Sequence, residues 1–168
     1  MGFGWVEIAG PLFMENNSPG VRLKITLKNP GYSPATNIVP FPIMTGREQQ
    51  PMNMLEMQKR RCSTINQSPG LSGGLVYTLF PGDTVEEYNT PSIAREEIES
   101  IGFSIVPLVI ICVNYKWAFS GENHQTASVY ALGRVDPTYP GQAFTIDLRA
   151  SPIPAASLHL TPIGSYAD

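Results

Sequence analysis

Val21-Arg22-Leu23-Lys24-Ile25-Thr26-Leu27-Lys28 alternates apolar and polar side chains without a break and stops at Asn29-Pro30-Gly31. A period of two sets Val21, Leu23, Ile25 and Leu27 on one face and the basic residues on the other. That is a strand half buried on a core and half in water, and Asn-Pro-Gly after it is turn chemistry. The reading predicts Leu23, Ile25 and Leu27 inside, with Arg22, Lys24 and Lys28 exposed.

Working outward, the same grammar recurs. Phe3 to Ile8 and Leu12 to Met14 read as one strand kinked at Gly10-Pro11. Thr36 to Met44 is a strand interrupted by Pro40 and Pro42, which cannot donate to a ladder and so favour an edge. Val76 to Phe80 and Thr84 to Tyr88 are short extended pieces around Pro81-Gly82-Asp83. Ile105 to Tyr115 is the most apolar run and reads as a central strand covered on both faces, with Leu108 and Ile110 in the core. Gln125 to Leu132, including a buried Val129, pairs with it through the polar loop Ser120 to His124. Phe144, Ile146 and Leu148 alternate with Thr145, Asp147 and Arg149, and Ala156 to Leu160 closes the set.

Two segments read as helices. Met52, Leu55 and Cys62 fall near one helical face, with Lys59-Arg60-Arg61 outside. Thr90-Pro91 resembles a helix start, a capping hydroxyl followed by proline at the first helical position. Ala94, Ile98 and Ile101 form that helix's stripe, Glu96, Glu97 and Glu99 its wet face, and Gly102 its stop. About seven to nine short strands at this spacing predict an immunoglobulin-like antiparallel β-sandwich with one or two short helices inserted. With no internal repeat and no second pattern, residues 1–168 read as a single domain.

Composition narrows the function classes. At 42% hydrophobic and 15% charged residues the chain has a core to bury. Sixteen prolines and fifteen glycines lie between the apolar runs, as short strands joined by turns require. A net charge of -3 with one basic cluster, Lys59-Arg60-Arg61, argues against nucleic acid. The run from Ile105 to Val113 is a strand's length and contains Pro107, so it does not read as a membrane span. Met1 to Trp5 reads as the edge of a strand rather than a signal peptide.

Three strings carry a resemblance. Leu27-Lys28-Asn29-Pro30-Gly31-Tyr32-Ser33-Pro34-Ala35 resembles an L-K-N-x-G-x-S-P-A signature. Leu79-Phe80-Pro81-Gly82-Asp83 resembles I-F-P-G-[DE]. Ile111-Cys112-Val113-Asn114-Tyr115 followed by His124-Gln125-Thr126 resembles G-C-V-D-Y … H-H-Q-T. Together they are similar to uncharacterised proteobacterial, rhizobial-type membrane-anchored proteins with a C-terminal immunoglobulin-like domain. The resemblance covers nearly the whole chain in the same order. It implies an immunoglobulin-like fold and a membrane anchor with a helical spacer in a segment absent from this chain; the periplasmic side is the expected location. Asn123 and Asn114 stand where the family often has His and Asp, so no metal or acid site is carried over.

Cys62 and Cys112 are the only cysteines. Bonded, they would tie the first helix to the central strand and stabilise by roughly 3–4 kcal/mol in the chain-entropy model; the alternative is two separate buried thiols. The resemblance includes both positions. His124 and His159 lie on different strands without a His-x-His or Cys-x-x-Cys partner, so no metal or other cofactor is expected. Ser72-Gly73-Gly74 lacks the strand-to-helix context of a nucleophile elbow, and Cys112 sits inside an apolar run. Catalytic residues are therefore not expected.

Trp5, Trp117 and Phe119 are candidates for a glycan- or protein-binding patch, against the ordinary alternative of core aromatics. The expected patch is the hairpin of Lys116, Trp117, Phe119, Glu122 and His124. The sequence thus predicts a non-enzymatic interaction or structural module, the soluble part of a membrane-anchored bacterial protein with a protein partner. The rival is a carbohydrate-binding or hydrolase domain on the same scaffold.

Overall fold

The alternating stretch forms a strand between two others. In the computed structural model, which describes residues 2–46, 54–66, 76–139 and 144–167, the elements run as follows. They are β1 (Gly2–Glu15), β2 (Ser18–Lys28), β3 (Ala35–Thr45), α1 (Met54–Asn66), β4 (Tyr77–Leu79), β5 (Thr84–Asn89) and α2 (Arg95–Ile101). Then come β6 (Ser104–Ile105), β7 (Leu108–Trp117), β8 (Asn123–Arg134), β9 (Ile146–Asp147) and β10 (Leu158–Ala167). All strand pairs are antiparallel. One sheet has the order β1-β2-β5, the second β10-β8-β7-β3-β4, and β6-β9 forms a small third.

The first two sheets pack face to face as a β-sandwich. Leu23, Ile25 and Leu27 from β2 meet Val109, Ile111 and Val113 from β7 in one core. Arg22 and Lys28 are exposed as predicted. Lys24 points outward too, but its side chain is only 23% exposed because Glu7 and Glu86 on the flanking strands close over it. The expected kink in β1 is a break in register between Ile8 and Leu12.

Leu108, Ile110, Val129 and the other predicted core residues are buried. The strand β7 is covered on both faces, and its second cover is a helix. Leu108, Ile110 and Cys112, with Ala127, Val129 and Ala131 of β8, pack against Met57 and Cys62 of α1. Here the predicted helical stripe is corrected. Met57, Gln58 and Cys62 are buried whereas Leu55 is exposed, because the bond from Cys62 to Cys112 sets the rotation of the helix. Met52 lies outside the described residues. Arg61, expected in water, is half-buried and donates to Thr45 Oγ1 at 3.1 Å.

The second helix begins later than its local chemistry suggests. Residues 90–94 stay extended: Val21 N–H donates to Pro91 O and Ile93 N–H to Pro19 O. Pairing with β2 and full burial of Ile93 outweigh a helix start at Thr90-Pro91, and α2 opens after an exposed Ala94 with no side-chain cap. Its end is as predicted, with Gly102 at φ 89° donating to Ile98 O. Glu97 is not on a wet face. Its carboxylate accepts from the Gly46 N–H at 2.6 Å and from the Thr45 hydroxyl. Glu97→Ala is expected to lower stability by about 1–2 kcal/mol; an unchanged urea midpoint would show that this contact contributes nothing.

Strand β3 lies between β7 and β4 rather than at the end of its sheet. The prolines nevertheless keep their usual place, since β4 pairs only with Ala35 and Ile38. The pieces around Pro81-Gly82-Asp83 are not partners of each other: β4 joins one sheet and β5 the other. The predicted strand around Phe144 to Leu148 shrinks to a bridge from Phe144 to Arg134 and the short β9, then tightens into a 3-10 turn at Leu148–Ala150. Ile146 and Leu148 are still buried, as their alternation implies.

Candidate functional site

Asn29 organises one end of the sandwich. Its side chain is fully buried, so every polar atom on it must find a partner. The amide donates to Ser33 O at 2.9 Å and Leu79 O at 3.0 Å, and Oδ1 accepts the Gly31 N–H at 3.0 Å. The last contact closes an Asx turn, the local geometry Asn favours. Its backbone N–H donates to Asp83 O and its carbonyl accepts from Gly82. One residue therefore ties the loop after β2 to the turn between β4 and β5.

That turn is built by its own sequence. Pro81 occupies the second position and Gly82 the third at φ 87°, and Asp83 N–H donates back to Phe80 O, which is a type II turn. Asp83 Oδ2 accepts the Phe80 N–H. The third loop is the β7–β8 hairpin, joined through Ala118 N–H to Pro34 O. The first two strings that carry the resemblance thus supply the hydrogen-bonding framework of two loops, and Pro34 of the first accepts the bond that joins the hairpin.

Three aromatic side chains stand on those loops. Tyr32 is 101% exposed, Phe119 84% and Phe80 59%. All three are large rings left in water on a hydrogen-bonded framework. Of the predicted patch, Phe119 and Glu122 are at the surface and Lys116 is half-buried. Trp117 and His124 turn back against the sandwich. Trp117 meets Tyr115 edge-on at 5.3 Å, and His124 stacks on Tyr115 at 5.5 Å. His124 Nε2 lies 3.9 Å from Glu122 Oε2. Trp117 supports the end from below, and Phe119 is the hairpin's exposed ring.

The sequence reasoning did not pick out Tyr32 and Phe80. The available signal was an aromatic residue placed directly beside turn-forming Gly31 or Pro81, where neither strand face can absorb it.

Cys62 and Cys112 form a disulfide with a Cα separation of 5.7 Å, both fully buried. Gln125 seals it, donating to Cys62 O at 3.3 Å and to Asn114 Oδ1 at 2.7 Å. Neither sulfur is available as a thiolate nucleophile. By register His124 faces the sandwich interior, while His159, opposite Gly133, faces the side of α1. No group of three or more His, Cys, Asp and Glu among the described residues is placed to hold a metal ion. Ser72-Gly73-Gly74 lies outside the described residues. A cleft of about 300 Å³ at the opposite end is lined by Phe13, Glu15, Asn16, Ser18, Thr90 and Ser92; its lining includes one carboxylate. Among the described residues no helix is long and apolar enough to cross a membrane.

No protein-family model, curated protein or solved structure matches this chain. The fold and site alone define its class: a mainly β, antiparallel sandwich with a disulfide-clamped helix on one sheet and three aromatic-tipped loops at one end.

Proposed function

We propose that this chain is an immunoglobulin-like, non-enzymatic interaction module, the extracytoplasmic part of a membrane-anchored bacterial protein, and that it grips a protein partner with the loop end. The observation that carries this is the exposure of Tyr32, Phe80 and Phe119 on loops that Asn29 and the Ala118–Pro34 bond tie together. Rigid aromatics are the usual anchors of protein interfaces because they bury much area and lose little conformational entropy.

Strand order supports the immunoglobulin-like reading. The first, second and fifth strands share one sheet, while β8-β7-β3-β4 reproduces the G-F-C-C′ order of the other, with β10 added beyond it. In that correspondence the aromatics sit on the B–C, C′–E and F–G loops, the end that variable domains use for recognition. The disulfide suits an oxidising compartment, and the sequence resemblance supports the anchor.

The test is site-specific photo-crosslinking in the producing cell. Probes at positions 32 and 119 are expected to trap the same protein, and a probe at Ser63 on α1 to trap none. Tyr32→Ala combined with Phe80→Ala should reduce the adduct at 119 about tenfold or more, as loss of interface anchors does. Adducts indifferent to those substitutions, or equal at position 63, would refute the reading.

A further inference from the structure

A second surface lies on the opposite side of the core, on the outer face of β1-β2-β5. Residues directly paired across antiparallel strands share a face. Glu7 pairs with Lys24 and Lys24 with Tyr88; Trp5 pairs with Thr26 and Thr26 with Glu86. Since Leu23, Ile25 and Leu27 point into the core, this whole set points out. Trp5 and Tyr88 are each about half exposed. They stand on the strands flanking β2, two residues out of step, so their Cα atoms are about 12 Å apart by strand geometry.

The ground between the rings is polar. Lys24 Nζ sits 2.7 Å from Glu86 Oε1 and 3.7 Å from Glu7 Oε2, forming a charged row across all three strands. Arg22 places its guanidinium carbon 5.1 Å from the Tyr88 ring centroid. Gly10 leaves room for the stem of Arg22: a Cβ there would lie 3.1 Å from Arg22 Cβ. Over the face as a whole three bases, Arg22, Lys24 and Lys28, balance three acids, Glu7, Glu15 and Glu86.

We propose that this face binds a neutral polysaccharide strand, its sugar rings laid on Trp5 and Tyr88 and its hydroxyls on the charged row between them. The negative face of an aromatic ring attracts polarised C–H groups, which a pyranose presents on its flat sides. Carboxylates, ammonium and guanidinium supply both acceptors and donors to hydroxyl groups. A face of balanced charge offers no net field for a nucleic acid or an anionic membrane. Rings set apart by charged side chains make no continuous apolar core of the kind that protein interfaces bury. A neutral, hydroxyl-rich ligand is the occupant whose charge matches.

Affinity electrophoresis of the intact chain tests this, with hydroxyethyl cellulose, laminarin, soluble starch and galactomannan as neutral probes. Dextran sulfate and phosphatidylglycerol vesicles serve as charged ones. At least one neutral polysaccharide is expected to retard the chain, with Trp5→Ala and Tyr88→Ala each weakening binding roughly tenfold. Tyr32→Ala at the loop end should leave it unchanged, which separates this site from the protein-binding one. A Trp117→Phe variant leaves Trp5 as the sole tryptophan, and its emission should shift as polysaccharide is added. Retardation by no neutral probe, binding of the charged probes alone, or retardation indifferent to Trp5→Ala and Tyr88→Ala would overturn the proposal.

Discussion

Asn29→Ala is expected to lower the stability of this chain by about 3–4 kcal/mol, the effect of leaving several buried backbone groups without partners at once. The substitution strips donors from Ser33 O and Leu79 O and the acceptor from Gly31 N–H. The site is fully buried, so water does not readily replace them. Asn29→Asp is a sharper probe because it keeps the shape and the Oδ1 acceptor. Ionised, its carboxylate would face two carbonyl oxygens, so its folded pKa should rise above the ordinary Asp value near 3.9. A raised folded pKa confers stability below the unfolded value that is lost as pH rises through the folded one. Urea unfolding should therefore find Asn29→Asp closest to the parent chain near pH 3 and furthest from it at pH 7. A deficit that does not change with pH would refute this account of the site.

Removing the disulfide has an effect of similar size but a different location. Cys62 and Cys112 are 50 residues apart in sequence, and the chain-entropy model gives about 4 kcal/mol for a loop of that length. Cys62→Ala with Cys112→Ala should lower the unfolding midpoint accordingly. It should also loosen α1 before the sandwich. The helix is held to the sheet by Met57, Cys62 and the Gln125 contact, whereas β2 and β7 share the large inter-sheet core. Amide exchange is expected to quicken in 55–66 while Leu23, Ile25 and Ile111 stay protected. Equal protection of the helix with and without the bond would show that packing alone holds it.

Both predictions depend on long-range contacts, and that divides what was legible from what was not. Strand faces are set by a period of two, so Leu23, Ile25 and Leu27 could be assigned from residues within one segment. The apolar run of β7 announced burial on both sides for the same reason. Capping chemistry at Thr90-Pro91 was read just as locally, and there the structure differs. The β2 edge offers backbone partners and a buried berth for Ile93 that no local window contains.

By itself the sequence determined that this chain is a mainly β sandwich, because alternation, turn residues and an unbroken apolar run are properties of neighbouring residues. Only the tertiary structure decided which surface lies over which. Asn29 and Leu79 are 50 positions apart, so a signature string became a keystone only when two loops met. Tyr32, Phe80 and Phe119 come from three separate turns, and Trp5 and Tyr88 from two strands that do not pair with each other. Exposure and juxtaposition belong to the packed chain: whether an aromatic ring is core or anchor depends on what folds over it, and that is fixed by contacts far away in sequence.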